Sequence, residues 1–157
     1  MSVETVKAYF KKWGMEERIQ EFPISSATVE EAAAALHCEE NRIAKTMAFW
    51  VNGKVVLIVM SGDAKVDNPK FKAQFETKAK MLKADEVSDM IGHPVGGVCP
   101  FGIRDDIQVY LDVSLKRFAT VFPACGSRNS AIELSIPELE RYSAYCEWIN
   151  ICKDWAS

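Results

Sequence analysis

The apolar positions of this chain change period along its length, and each change marks an element. Val6, Tyr9, Phe10 and Trp13 recur at helical spacing, which predicts a helix from Val3 to Trp13 closed by Gly14. Phe22-Pro23 breaks that pattern. Thr28 followed by Glu31 is a capping box that opens an alanine-rich helix, Val29 to Leu36, with a further turn from Glu39 to Ala44. Two apolar runs, Lys45 to Val51 and Lys54 to Ser61, flank Asn52-Gly53, residues suited to the two positive φ angles of a type I′ hairpin turn. Both runs are continuous rather than alternating, so they predict central strands covered on both faces.

Asn68-Pro69 predicts a helix through Glu76, with Asn as cap and Pro in the first turn. Asp85 as cap predicts a second, Glu86 to Ile91. A glycine-rich turn runs from Gly92 to Gly102. Short strands are expected over Gln108 to Val113, Arg117 to Phe122 and Ala131 to Leu134. Ser135-Ile136-Pro137-Glu138 starts a last helix reaching Ala144. The tail holds Trp148, Ile149, Ile151, Cys152 and Trp155, apolar enough to dock on its own domain or on a partner. This order lacks regular βαβ alternation and predicts an α+β fold: a mixed, largely antiparallel sheet flanked by helices.

Composition narrows the class. A chain of 157 residues, 48% hydrophobic and 26% charged, suits one globular domain spanning 1–157. The N-terminal residues read as no signal peptide, and the longest apolar run, Val55 to Met60, is far short of the roughly 20 residues a membrane helix needs. A cytoplasmic protein with no membrane partner is expected. Its five cysteines are odd in number and lack C-x-x-C spacing, so reduced thiols are expected, while a redox-sensing role would require a specific disulfide. Only His37 and His93 are present, and no metal-ligand cluster forms, so neither metal nor other cofactor is expected.

Charge changes the picture locally. The net charge is −3, yet the window Lys65–Lys83 holds six lysines against Asp67 and Glu76 and so carries +4. Such a stripe is either a solvated face or a grip for a phosphate backbone.

Four segments could carry chemistry. The glycines of the 92–102 turn let backbone N–H groups approach a ligand, and its two prolines stiffen it; a connection that merely needs positive φ would look the same. The turn matches neither a phosphate-binding P-loop nor a dinucleotide fingerprint. Lys45 heads an apolar strand, either exposed at its end or aimed into a cleft. Gly126-Ser127-Arg128 is a possible anion clamp. Cys99 could be a nucleophile with His93 as base, and Asp63 or Asp67 a general base, though both aspartates also suit a solvated turn.

Lys45-Thr46, the Asn-Gly hairpin, Gly62-Asp63-Ala64-Lys65, then Gly96-Gly97-Val98-Cys99-Pro100 as a G-x-x-x-P motif, and Gly126-Ser127-Arg128 occur in an order that resembles the YbaK/EbsC family. These proteins are relatives of the editing domain of bacterial prolyl-tRNA synthetases. The resemblance runs from about Ser25 to Leu139. It implies metal-free hydrolysis of a mischarged aminoacyl-tRNA, such as cysteinyl- or alanyl-tRNA(Pro), or one carrying another small amino acid. It also implies that Lys45 and Gly96 are catalytic and that Thr46, Gly62, Asp63, His93, Gly97, Val98, Cys99, Pro100, Ser127 and Arg128 bind substrate. The expected partners are the tRNA acceptor end and a cognate synthetase, not DNA. The alternative is a non-catalytic module that binds tRNA or a synthetase.

Overall fold

The 52–53 turn decides the centre of the fold. Asn52 and Gly53 both take positive φ, at 51° and 78°, and close the antiparallel hairpin of β2 (Ile43–Val51) and β3 (Lys54–Ser61). The computed structural model describes residues 2–155. The other strands are β1 (Gln20–Glu21), β4 (Lys65–Val66), β5 (Gln108–Asp112), β6 (Thr120–Pro123), β7 (Ser130–Ala131), β8 (Leu134–Ser135), β9 (Glu147–Ile149) and β10 (Cys152–Lys153). Six of them form one mixed sheet in the order β8-β6-β2-β3-β5-β9. The β2–β3 and β6–β8 ladders are antiparallel; β2–β6, β3–β5 and β5–β9 are parallel.

Period two explains why β3 is apolar throughout. Val55, Leu57 and Val59 enter the main core with Val6, Phe10, Phe101 and Leu139, while Val56, Ile58 and Met60 enter a second core with Phe71 and Phe75. The helices that cover these faces are α1 (Ser2–Lys11), α2 (Val29–Leu36), α3 (Asn68–Phe75), α4 (Ala84–Ile91) and α5 (Ile136–Ser143). The Thr28–Glu31 box caps α2 and the Ser135–Glu138 box caps α5, as their sequences predict.

Two caps differ from the sequence expectation. Asp67, not Asn68, caps α3, its carboxylate accepting from the Lys70 N–H. At α4 the cap is Lys83, not Asp85, and the Glu86 carboxylate accepts the Lys83 N–H. The strand expected over Arg117–Phe122 is present as β6, which starts later, at Thr120, and ends at Pro123; a 3-10 turn, Val113–Arg117, precedes it. The Asp112 carboxylate starts that turn by accepting from the Ser114 N–H. The strand expected over Ala131–Leu134 divides into β7 and β8, which pair with different partners.

The apolar tail docks on its own sheet. β9 extends the edge beside β5, and β10 pairs with β4. Asp112, fully buried, holds the tail by accepting from the Ile151 N–H at 2.9 Å as well as from Ser114 at 2.9 Å. Asp112→Ala strands both donors, so a loss of about 3 kcal/mol is expected in urea unfolding, with Asp112→Asn, which keeps one acceptor oxygen, losing less.

Candidate functional site

A gap in the sheet makes the site. β6 pairs β2 only at Ile43 and Ala44. Further along, the 80–82 segment takes over the same edge: the Trp50 N–H donates to Lys80 O and the Leu82 N–H to Ala48 O. Between these two partners the stretch Lys45–Met47 is only half-buried, in a strand otherwise largely buried. The opening is a cleft of about 360 Å³. Its walls are the start of α2 with Ser26 and Ala27, the β2 edge, Met81 and Leu82, and the glycine-rich turn at Val95, Gly96 and Val98. Most of the lining is apolar. The hydroxyls of Ser26, Thr28, Thr46 and Ser130 are the exceptions, and Lys45 is its one ionisable side chain among the described residues.

Lys45 lies inside β2 rather than at its head, because Ile43 and Ala44 precede it in the strand. This corrects the strand boundary expected at Lys45; of the two positions its residue type allowed, it takes the one in a cleft. Its Nζ donates to Gly62 O at 3.3 Å. Burial lowers the pKa of the ammonium from its ordinary value, while nearby Asp63 works in the opposite direction. Thr46, next along, has its hydroxyl oxygen buried in the cleft wall with no protein partner among the described residues.

The glycine turn reaches the cleft through one tight bend. The Gly97 N–H donates to Pro94 O at 2.9 Å, and Gly96 has φ +92°, the positive angle a type II turn requires at its third residue. A Cβ on Gly96 would stand 2.8 Å from that of Ala27. Gly97 is the point of closest approach behind the wall: a Cβ there would be 2.6 Å from the Ser127 nitrogen.

Of the residues the resemblance implicates, Lys45, Thr46, Gly96 and Val98 converge on the cleft. The others lie outside its lining. Gly62 supplies the acceptor for Lys45. Asp63 is turned to Arg117, at 2.7 Å, and to Ser61; burial pushes its carboxyl up, but those hydrogen bonds outweigh it and leave its pKa lowered. Gly97 and Gly126 join the two loops through the Gly126 N–H to Gly97 O bond of 3.0 Å. The Ser127 hydroxyl bonds to Asn129 and Ser130, and Arg128 Nε donates to Val95 O, so this pair braces the turn from behind.

His93 is not at the cleft edge. It is buried, its Nε2–H donating to Phe101 O at 2.9 Å, and burial lowers its pKa, so it staples the turn as a neutral ring. Pro100 is buried on the core side of the same turn. Cys99 is buried too, and burial pushes its thiol up to about 12. A thiol so protonated and enclosed is a poor nucleophile. On the hydrolytic reading that the resemblance implies, Cys99→Ser is expected to stay within about threefold of wild-type protein in a deacylation assay, whereas covalent catalysis through Cys99 would abolish turnover.

Sequence reasoning did not single out Ala27, Met47, Met81 or Val95. Val95 lies within the glycine-rich turn and Met47 within the apolar strand, but neither differs in type from its neighbours; Met81-Leu82, an apolar pair inside a lysine-rich run, is the signal that could have marked that wall.

Comparison with known proteins gives a consistent result. Residues 25–142 match the family model of the aminoacyl-tRNA editing domain. The chain is 54% identical over 156 residues, 99% of each chain, to the uncharacterized protein YwhH of Bacillus subtilis (strain 168). It is 32% identical over 102 residues to the proline–tRNA ligase of Bacillus cytotoxicus; that match covers 64% of this chain but only 18% of the ligase. A solved structure described as a candidate trans-editing enzyme for prolyl tRNA synthetase superposes with a TM-score of 0.87 over 97% of both chains at 24% identity, a likeness of fold. The hypothetical protein APE2540 superposes with a TM-score of 0.80 at 26% identity, over 92% of this chain and 99% of that one. By its sequence match over most of its length, the chain belongs to the aminoacyl-tRNA editing domain family.

Proposed function

We propose that this protein hydrolyses, in trans, the ester joining a small, wrongly attached amino acid to the 3′-terminal ribose of a prolyl-type tRNA. The observation that carries this reading is that Lys45 and the backbone of Gly96, far apart in sequence, border one cleft. The ligase relatives support the choice of tRNA. The volume supports a small amino acid: a cleft of about 360 Å³ must receive the ribose ester as well as the side chain.

The chemistry asks little of the protein. An aminoacyl ester is already activated, so orientation of a water molecule and stabilisation of the oxyanion are the main requirements. Water adds to the carbonyl carbon, the C–O bond to the ribose breaks, and the ribose oxygen leaves with a proton. The Lys45 ammonium is the cation available to the oxyanion or to a neighbouring phosphate, and Thr46 offers a hydroxyl without a partner of its own. Among the described residues the lining contains no carboxylate or imidazole, so proton movement in this reading runs through water and the substrate's own hydroxyl and amino groups.

The test is a panel of mischarged tRNAs, including alanyl- and cysteinyl-tRNA(Pro), assayed with wild-type protein and Lys45→Ala. The reading requires wild-type protein to hydrolyse at least one of them well above the variant. Tight binding in a gel shift without turnover on any substrate supports the non-catalytic module instead. The exposed lysines 72, 78, 80 and 83 favour contact with RNA under either reading.

A further inference from the structure

Two exposed apolar side chains stand at the mouth of the cleft. Trp13, Ile24, Met81 and Val95 are the exposed large apolar residues among those described, and two of them, Met81 at 55% and Val95 at 44%, line this one opening. Neither is exposed because its backbone is loose. Met81 bridges to Phe49 across the β2 edge and sits between the Lys80 and Leu82 hydrogen bonds. Val95 is the second residue of the Pro94–Gly97 turn, and its carbonyl accepts from Arg128 Nε at 3.0 Å. Among the described residues, neither joins a core cluster, and both stand in water at the cleft they line.

We propose that Met81 and Val95 are a seat for the terminal nucleobase of the tRNA, distinct from the acyl site below them; this rests on the function proposed above. The occupant follows from position and charge. Groups this exposed cannot shield a small amino-acid side chain from water, whereas a planar base entering the cleft that both line offers each an apolar face. A thioether is soft and polarizable and suits contact with an aromatic face. The ribose links base and ester, so a base held at the rim sets the ester at the depth of Lys45 and Gly96. Cations flank the pair: exposed Lys83 follows Met81 by two residues, and exposed Arg128 touches Val95. They complement the phosphate that precedes the last nucleotide.

The experiment compares two aminoacylated RNA minihelices, one ending in adenosine and one carrying an abasic ribose at that position. Met81→Ser/Val95→Ser is measured against wild-type protein on both. Base contacts of this kind are strong enough that kcat/KM on the adenosine substrate is expected to fall about tenfold or more, with less than about threefold loss on the abasic one. Equal losses on both substrates, or none on either, overturn the base seat while leaving the deacylase reading intact. An effect that tracks the amino acid rather than the base also overturns it, by placing the pair in the acyl site. If wild-type protein hydrolyses neither minihelix, the proposed function and the base seat fail together.

Discussion

Replacing Lys45 with alanine is expected to slow deacylation by about a hundredfold or more, the scale on which a single oxyanion contact acts. Fold stability should change little, because the residue is a half-buried ammonium with one carbonyl contact at 3.3 Å, and removing it also removes a desolvated charge. Lys45→Arg is expected not to rescue the rate, since a planar guanidinium cannot occupy the place of a compact ammonium. Burial lowers the Lys45 pKa from its ordinary 10.5. The ammonium is the protonated form, so enzymatic activity should be full below that lowered pKa and fall as pH rises through it. The alkaline limb, after subtraction of spontaneous ester hydrolysis, should therefore lie below the range of a free lysine. A limb at or above 10.5 would count against the ammonium as the working group.

The second large effect is expected at Gly97→Ala. The added methyl would meet the Ser127 nitrogen at 2.6 Å and the carbonyl carbon of Gly126 at 2.8 Å, and these are backbone atoms that cannot swing aside. The two loops must separate, the Gly126-to-Gly97 bond of 3.0 Å is strained or lost, and the wall carrying Gly96 and Val98 moves. A loss of roughly 2–3 kcal/mol in stability is expected, together with most of the activity. Gly53→Ala is the control. At the hairpin tip an added Cβ meets nothing within 4 Å, so only the positive φ opposes it, and about 1 kcal/mol with unchanged activity is expected. Equal costs at the two positions would show that backbone strain, not the seam between loops, governs Gly97. Chemical denaturation and the deacylation assay together read both variants.

A feature is legible in sequence to the extent that nearby residues decide it. The β2–β3 hairpin, the α2 capping box and the start of α5 were legible because each depends on neighbouring residues. The caps of α3 and α4 were displaced by one or two residues because the flanking Asp67 and Glu86 carboxylates took the first free N–H groups. The 3-10 turn after β5 was hidden for a related reason: Val113 and Leu115 look strand-like, and the Asp112 carboxylate that turns the chain leaves no periodic trace.

The site divides along the same line. Lys45 and the glycine turn stand out by residue type, and Gly96 shows in its positive φ why the type is needed. The cleft itself exists because β6 ends at Pro123 while the 80–82 segment begins beside Ala48, a mismatch between distant segments that no window of sequence contains. For the same reason His93 and Cys99, conspicuous in the sequence, turned out to lie beneath the turn rather than in the opening.

The parallel ladders also shape how the chain reaches this state. The central hairpin closes locally and can form within microseconds. Its outer edges must wait: β3 is joined along one side by residues from Gln108 onward, and β2 by Phe122 and Pro123. Until those arrive, a continuous apolar ribbon from Val55 to Met60 stands uncovered. Refolding of this protein should therefore be slow for its size and sensitive to concentration, with intermolecular pairing along that ribbon as the competing reaction.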